Sequence, residues 1–301
     1  MAVADQNQRM SLWDLVLHLR PHWQLMLMPL FLWGFLLAGG EEAVHLIGAR
    51  FWLVFFIVHI MFYGGATALN SYYDRDEGPV GGLWTPPKVT RQLWTFAVGL
   101  QVLGLIIMAF ISLPIFFLSL VMGAVGTAYS HPATRLKARP WASLLLVSIF
   151  QGMGGTAAGW LYVQDDLGSL LALKPLTGLL SSALVITGFY PLTQVYQRAE
   201  DRRQGVISFA VYAGEWTFAL AIACLLAGAA LMSALCWLYL GHLEAIVVGL
   251  SLVGQAGLVG LWWRSYDDDD VQRNYRWMMR LGYLMTAGFL GFVTWQLLQG
   301  L

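Results

Sequence analysis

The sequence predicts an all-α, polytopic membrane protein, with nine transmembrane helices in one domain over 1–301, N-terminus inside and C-terminus outside. Three observations predict it: a composition too poor in charge for a water-facing surface, a series of apolar stretches of membrane-crossing length, and a one-sided distribution of lysine and arginine.

Of the 301 residues, 58% are hydrophobic and 11% charged, and mean hydropathy is +0.63. Soluble domains average about 45–50% apolar and about 25% charged residues. Soluble globular classes are therefore excluded, and nucleic acid is not an expected partner. Met1 to Gln8 carry no early apolar core, so no cleavable signal peptide is expected. Cys224 and Cys236 lie in one apolar stretch, too far apart on a single helix for a disulfide. They read as small apolar residues.

A span takes about 20 mostly apolar residues. Such stretches occur at 23–39, 51–69, 92–111, 113–130, 141–162, 176–195, 215–233, 244–262 and 277–298. The third and fourth meet at a short turn, Ser112-Leu113-Pro114, where proline can open the next helix. Orientation follows from the basic residues, which concentrate on the cytoplasmic side of membrane proteins. With the N-terminus inside, 15 of the 17 lysines and arginines are cytoplasmic, and only Arg50 and Lys174 fall outside.

The inner connections are the long, polar ones. Chemistry is therefore expected at the cytoplasmic helix ends of a multi-pass cell-membrane protein. A transporter would more usually place polar groups at the bilayer midplane, on broken helices. Few ionisable groups lie mid-span, and His59 reads as bonded to a neighbouring helix.

Two inner connections concentrate oxygen donors. The first runs from Asn70 through Asp74, Asp76 and Glu77 to Gly78-Pro79. Asn70 and Asp74 share a face at helical spacing, and Glu77 stays on it if the helix continues. Asp76 joins them only if the helix has unwound. The glycines beyond allow a sharp turn or a close approach to a ligand. The second runs from Gln194 through Gln197 and Glu200 to Asp201, again at three-to-four spacing. Carboxylate and amide oxygens suit Mg²⁺, which completes its shell with water and substrate phosphates. Two facing acidic strips would be reconciled by metal ions bridging to a diphosphate. Asp267 to Asp270 lack the spacing of an Asp-Asp-x-x-Asp motif and read as a solvated loop balanced by Arg264 and Arg273.

At these residues the chain resembles the UbiA superfamily of intramembrane prenyltransferases. That family has nine transmembrane helices and aspartate-rich motifs after helices 2 and 6. Asn70 and Asp74 match the first two positions of the first motif, and its third falls on Gly78, with Asp76 or Glu77 as stand-in. Asp201 and Gly205 match the later positions of the second motif, whose first aspartate is replaced by Gln197. Tyr129-Ser130-His131-Pro132 with Arg135, Lys137 and Arg139 resembles the family's stretch between helices 4 and 5, and Arg20-Pro21 is also similar.

The resemblance implies ionisation of an allylic prenyl diphosphate. It implies Mg²⁺ held by Asn70, Asp74 and Asp76 or Glu77 on one side and by Gln197, Glu200 and Asp201 on the other. Arg135 and Lys137, with Arg139 and Arg202, would contact the diphosphate. A dry aromatic chamber would shelter the allylic cation, with Tyr129 and Tyr196 as pocket residues. Tyr63, Tyr72, Tyr73, Tyr190 and the Trp262-Trp263 pair are assigned to the interfacial belt. The implied partners are a prenyl diphosphate, a lipophilic or aromatic acceptor, and membrane lipids. A terpene cyclase needing no acceptor, or a lipid-binding protein without catalysis, are the competing functions.

Overall fold

A computed structural model describes residues 9–75, 77–203 and 205–299, the side chain of Glu41 excepted. Among the described residues, nine helical stretches are long and apolar enough to cross a membrane. They are α1 (Leu12–Gly39), α2 (Ala49–Asp74), α3 (Arg91–Ile111), α4 (Leu113–Ser130), α5 (Pro140–Gln164), α6 (Leu173–Arg203), α7 (Trp216–Tyr239), α8 (His242–Arg264) and α9 (Val271–Gln299). Each coincides with one of the stretches expected from hydropathy, most of them extended at the polar-loop end and α7 at the other. The first, second, sixth and ninth run well beyond what apolar composition alone suggests, because helical structure continues into polar sequence.

Burial separates inner from outer helices. The buried share is 61–67% in α1, α2, α5 and α6 but 17–39% in the other five. The four inner helices therefore enclose the core, and the rest present apolar side chains outward. Close packing inside depends on small residues, which let helix backbones approach. A Cβ added at Gly34 would overlap the Thr156 carbonyl oxygen, and one at Gly159 would overlap that of Phe31. This is the α1–α5 contact.

Four departures from regular helix occur in the inner helices, two at the polar-loop end and two deeper in the spans. In α1 the chain breaks at Arg20, which is left-handed (φ 51°) just before Pro21. In α6 the α-helical geometry of Leu173–Leu192 tightens to a 3₁₀ turn at Val195–Gln197 before resuming at Arg198–Arg203. Both α2 and α5 contain π-helical stretches, Ile57–Gly64 and Val147–Met153. Such stretches often occur where a helix serves a functional site.

His59 lies in the first of them. It bonds the Phe55 carbonyl of its own helix at 2.8 Å and also engages the Leu27 backbone of the neighbouring α1, with the Phe31 and Phe55 rings against it. At the opposite end of the bundle, Arg50 stands over the Tyr162 ring and Lys174 over the Tyr239 ring. Both cysteines are free.

Candidate active site

One turn separates Asn70 from Asp74 at the end of α2, and both side chains line a cavity of about 300 Å³. From the far side, Gln194, Gln197 and Asp201 of α6 line the same cavity. The two oxygen-rich strips are thus brought to one mouth, and apolar and aromatic side chains line the space beneath.

Hydrogen bonds hold this mouth in shape. Ser130 Oγ donates to Asn70 Oδ1 at 3.0 Å. Gln197 Nε2 donates to the Pro79 carbonyl at 3.1 Å, so its amide oxygen is the atom suited to a cation. The loop after α2 folds back over the opening, where the Gly81 amide donates to Tyr196 Oη at 3.1 Å and its carbonyl meets His22 Nε2 at 3.2 Å. Gly81 and Gly82 have positive φ, and a Cβ on either would run into Arg20 or His22. The close approach that these glycines permit is therefore to α1.

Three cations line the mouth: Arg20, Arg135 and Lys137. Lys137 forms an ion pair with Asp74. Burial pushes its pKa down to about 8, opposed by the charge of Asp201 and assisted by that of Arg20. Arg20, only 5% exposed, donates from Nη2 to Ser71 Oγ at 2.9 Å. Sequence reasoning placed Arg20 among the cytoplasmic cations but not in the site. Its inward position comes from the left-handed break, which no residue pattern announces.

Other expected residues lie elsewhere. Left-handed Arg75 (φ 53°) caps α2 immediately after Asp74, so Glu77 has left the helix and stands exposed outside the cavity lining. Asp76 lies outside the described residues. Glu200 pairs with Arg203 and is not in the lining. Arg202 donates to Asp268 Oδ2 at 2.5 Å, and Arg198 pairs with the same carboxylate at 3.3 Å. The Asp267–Asp270 run is thus a clasp onto the end of α6. Arg273 pairs with Asp267 and Asp270 as expected, whereas Arg198 and Arg202 stand in place of Arg264. Arg139 is exposed and absent from the lining.

The aromatic wall is larger than expected. Tyr129 and Tyr196 line the cavity, but so do Tyr63 and Tyr190, which the sequence suggested were belt residues. Tyr190 Oη is the hub of a buried network, 2.6 Å from Tyr129 Oη and 2.5 Å from Ser143 Oγ, and accepts from Gln194 Nε2 at 2.7 Å. Gln194 Oε1 in turn accepts from the Ala210 amide at 3.2 Å. Trp262, by contrast, is fully buried and donates to Asn274 Oδ1 at 2.9 Å, so it fastens α8 to α9 rather than serving the belt.

Among the described residues no three histidine, cysteine or acidic side chains gather as a ready metal cluster. The donors at the mouth are two carboxylates, Asp74 and Asp201, and two amide oxygens, Asn70 and Gln197. An incomplete all-oxygen set of this kind fits Mg²⁺, which binds few carboxylates and takes the remainder from water and phosphate.

The sequence profile of the UbiA prenyltransferase family matches residues 27–284. The chain belongs to the UbiA prenyltransferase family. Solved UbiA-family structures share its fold. A UbiA homologue from Archaeoglobus fulgidus bound to GPP and Mg²⁺ is 17% identical, with 93% of this chain and 99% of that one covered and a TM-score of 0.67. A UbiA homologue from Aeropyrum pernix K1, without ligand, is 19% identical, with 89% and 96% covered and a TM-score of 0.63. A digeranylgeranylglyceryl phosphate synthase is 16% identical, with 94% and 98% covered and a TM-score of 0.61. No curated protein sequence matches. The UbiA-family chain is accordingly an intramembrane prenyltransferase by family, with its polar mouth formed at the ends of α2 and α6.

Proposed function

We propose that this protein transfers a prenyl group from an allylic prenyl diphosphate to a lipophilic acceptor of the aromatic or quinone-precursor type, with Mg²⁺-assisted departure of diphosphate. We place the mouth at the cytoplasmic face, on the one-sided distribution of basic residues. The observation that carries the proposal is the convergence of Asn70, Asp74, Gln197 and Asp201 on one apolar-lined cavity beside three cations.

These four residues would hold Mg²⁺, which when bound would offset the charge of the diphosphate and of the departing anion. Arg20, Arg135 and Lys137 would bind the diphosphate oxygens by charge-assisted hydrogen bonds. Positive charge already in place where the leaving group develops its charge lowers the barrier to C–O cleavage. The allylic cation would lie against aromatic faces, each contributing about 0.5–2 kcal/mol, with water held out by the loop pinned at Gly81. The acceptor's nucleophile would close on C1 and release its proton. The rings and hydroxyls of Tyr129 and Tyr190 suit a planar, hydrogen-bonding acceptor.

The test follows diphosphate release in detergent from geranyl and farnesyl diphosphates, with and without Mg²⁺ and with candidate acceptors. Asp74→Ala and Asp201→Ala are expected to lower the rate at least about 100-fold. Release unchanged in both variants would sink the proposal. A cyclic product formed without acceptor would reassign the protein as a cyclase at the same site.

A further inference from the structure

We propose that Tyr63 is the floor of the cavity and sets prenyl chain length, admitting two to three isoprene units and excluding a fourth. This rests on the proposed prenyl diphosphate reading and adds the length of the chain. The head end is given by Asp74 and Gln197, and the deepest lining residues include Tyr63 on α2, Gln151 on α5 and Ile186 on α6.

Tyr63 precedes Asp74 by eleven residues, and Ile186 precedes Gln197 by the same number. At about 1.5 Å rise per residue, both give a depth of about 16 Å. A covalent chain advances about 3.3–3.6 Å over three bonds, so a four-bond isoprene unit spans about 5 Å. With the diphosphate held at the level of Asp74 and Gln197, from which this depth is measured, two units fit with space to spare, three units of about 15 Å reach Tyr63, and a fourth does not fit. A cavity of about 300 Å³ agrees with a short chain, since ligand pockets run from about 300 to 1,000 Å³.

Tyr63 closes the space because its side chain crosses between helices. Its hydroxyl donates to the Gln151 carbonyl at 3.2 Å, in the π-helical stretch of α5. Gly155 beneath it leaves no further room, for an added Cβ would stand 2.9 Å from Leu30 Cβ and 3.1 Å from Tyr63 Oη. One turn deeper, the His59 ring packs 6.0 Å from that of Tyr63. Beyond that, α1 and α5 meet backbone to backbone at Gly34 and Gly159. The ring is the barrier, and the hydroxyl anchors it.

Calorimetry on the detergent-solubilised full chain with Mg²⁺ and the non-hydrolysable geranyl, farnesyl and geranylgeranyl thiolodiphosphates tests this. Inorganic diphosphate with Mg²⁺, on wild type and Asp74→Ala, tests the head site alone. Absence of Mg²⁺-dependent diphosphate binding would overturn the parent reading and this inference with it. Given head-site binding, wild-type affinity is expected to rise from geranyl to farnesyl with added burial and to fall at least about tenfold for geranylgeranyl, whose last unit can enter only by displacing the packed Tyr63 ring. Tyr63→Ala should bind geranylgeranyl at least as tightly as farnesyl, with inorganic diphosphate unaffected, while Tyr63→Phe keeps the wild-type order. Val147→Phe places a ring one turn nearer the mouth and should shift the cutoff down, from farnesyl to geranyl, which keeps the test decisive if Tyr63→Ala does not fold. Geranylgeranyl bound by wild type as tightly as farnesyl, or the same order in wild type and every folded variant, would overturn the assignment.

Discussion

Lys137 shows what a single residue contributes to this site. Its ammonium is drawn into the mouth beside Asp74, and burial depresses its pKa to about 8. In the proposed function the protonated form would bind the phosphate oxygens, so its contribution would be present below that value and lost above it. Affinity for farnesyl thiolodiphosphate is expected to decline as pH rises through and beyond 8, displaced upward because a bound anion favours the ammonium. Charge-assisted hydrogen bonds contribute about 1.5–3 kcal/mol, so Lys137→Met should weaken binding by about tenfold or more. Lys137→Arg, always charged, should flatten the pH dependence. A Lys137→Met variant with wild-type affinity would remove this residue from the diphosphate site. Asn70, Asp74, Gln197 and Asp201 were legible because helical spacing alone puts them on shared faces. Glu77 and Arg20 were misplaced or missed, since each depends on a left-handed residue, Arg75 or Arg20 itself.

At the scale of the helix, small residues decide how close the inner helices come. Gly159 faces the Phe31 carbonyl with no space for a methyl group, whereas Gly99 on α3 faces open space. Overpacking a filled contact costs about 1–3 kcal/mol. Gly159→Ala should therefore lower the melting temperature in detergent by several degrees. Gly99→Ala should leave it unchanged or raise it slightly, since alanine is the better helix former. Equal melting of both variants would mean that α1 and α5 are less tightly joined than described. The π-helical stretches of α2 and α5 were not foreseen, because apolar periodicity does not distinguish them from α-helix over one or two turns. Nor was the α6 clasp through Asp268, whose partners Arg198 and Arg202 lie far away in sequence.

For the whole molecule, the placement of basic residues carries the proposed orientation. In a background with Cys224 and Cys236 replaced by serine, single cysteines at two exposed positions on opposite faces, Glu77→Cys and Asp166→Cys, can be probed with a membrane-impermeant thiol reagent. Intact cells should label Asp166→Cys only, and permeabilised cells both. The reverse pattern would turn the site to the other side of the membrane.

Much of the architecture was determined by the sequence itself, because apolar length and the cost of exposing charge to lipid act locally along the chain. The number of spans in the described residues, the two donor strips and the family resemblance all follow from such local pattern. Only the tertiary structure decided which residues share the cavity. It joined α2 to α6 across more than a hundred residues, brought Arg20, Tyr63 and Tyr190 inward, and left Glu77, Glu200, Arg139 and Arg202 outside. Those outcomes depend on backbone breaks and helix packing distances. Both are set by contacts between segments remote in sequence, which spacing along one helix does not encode.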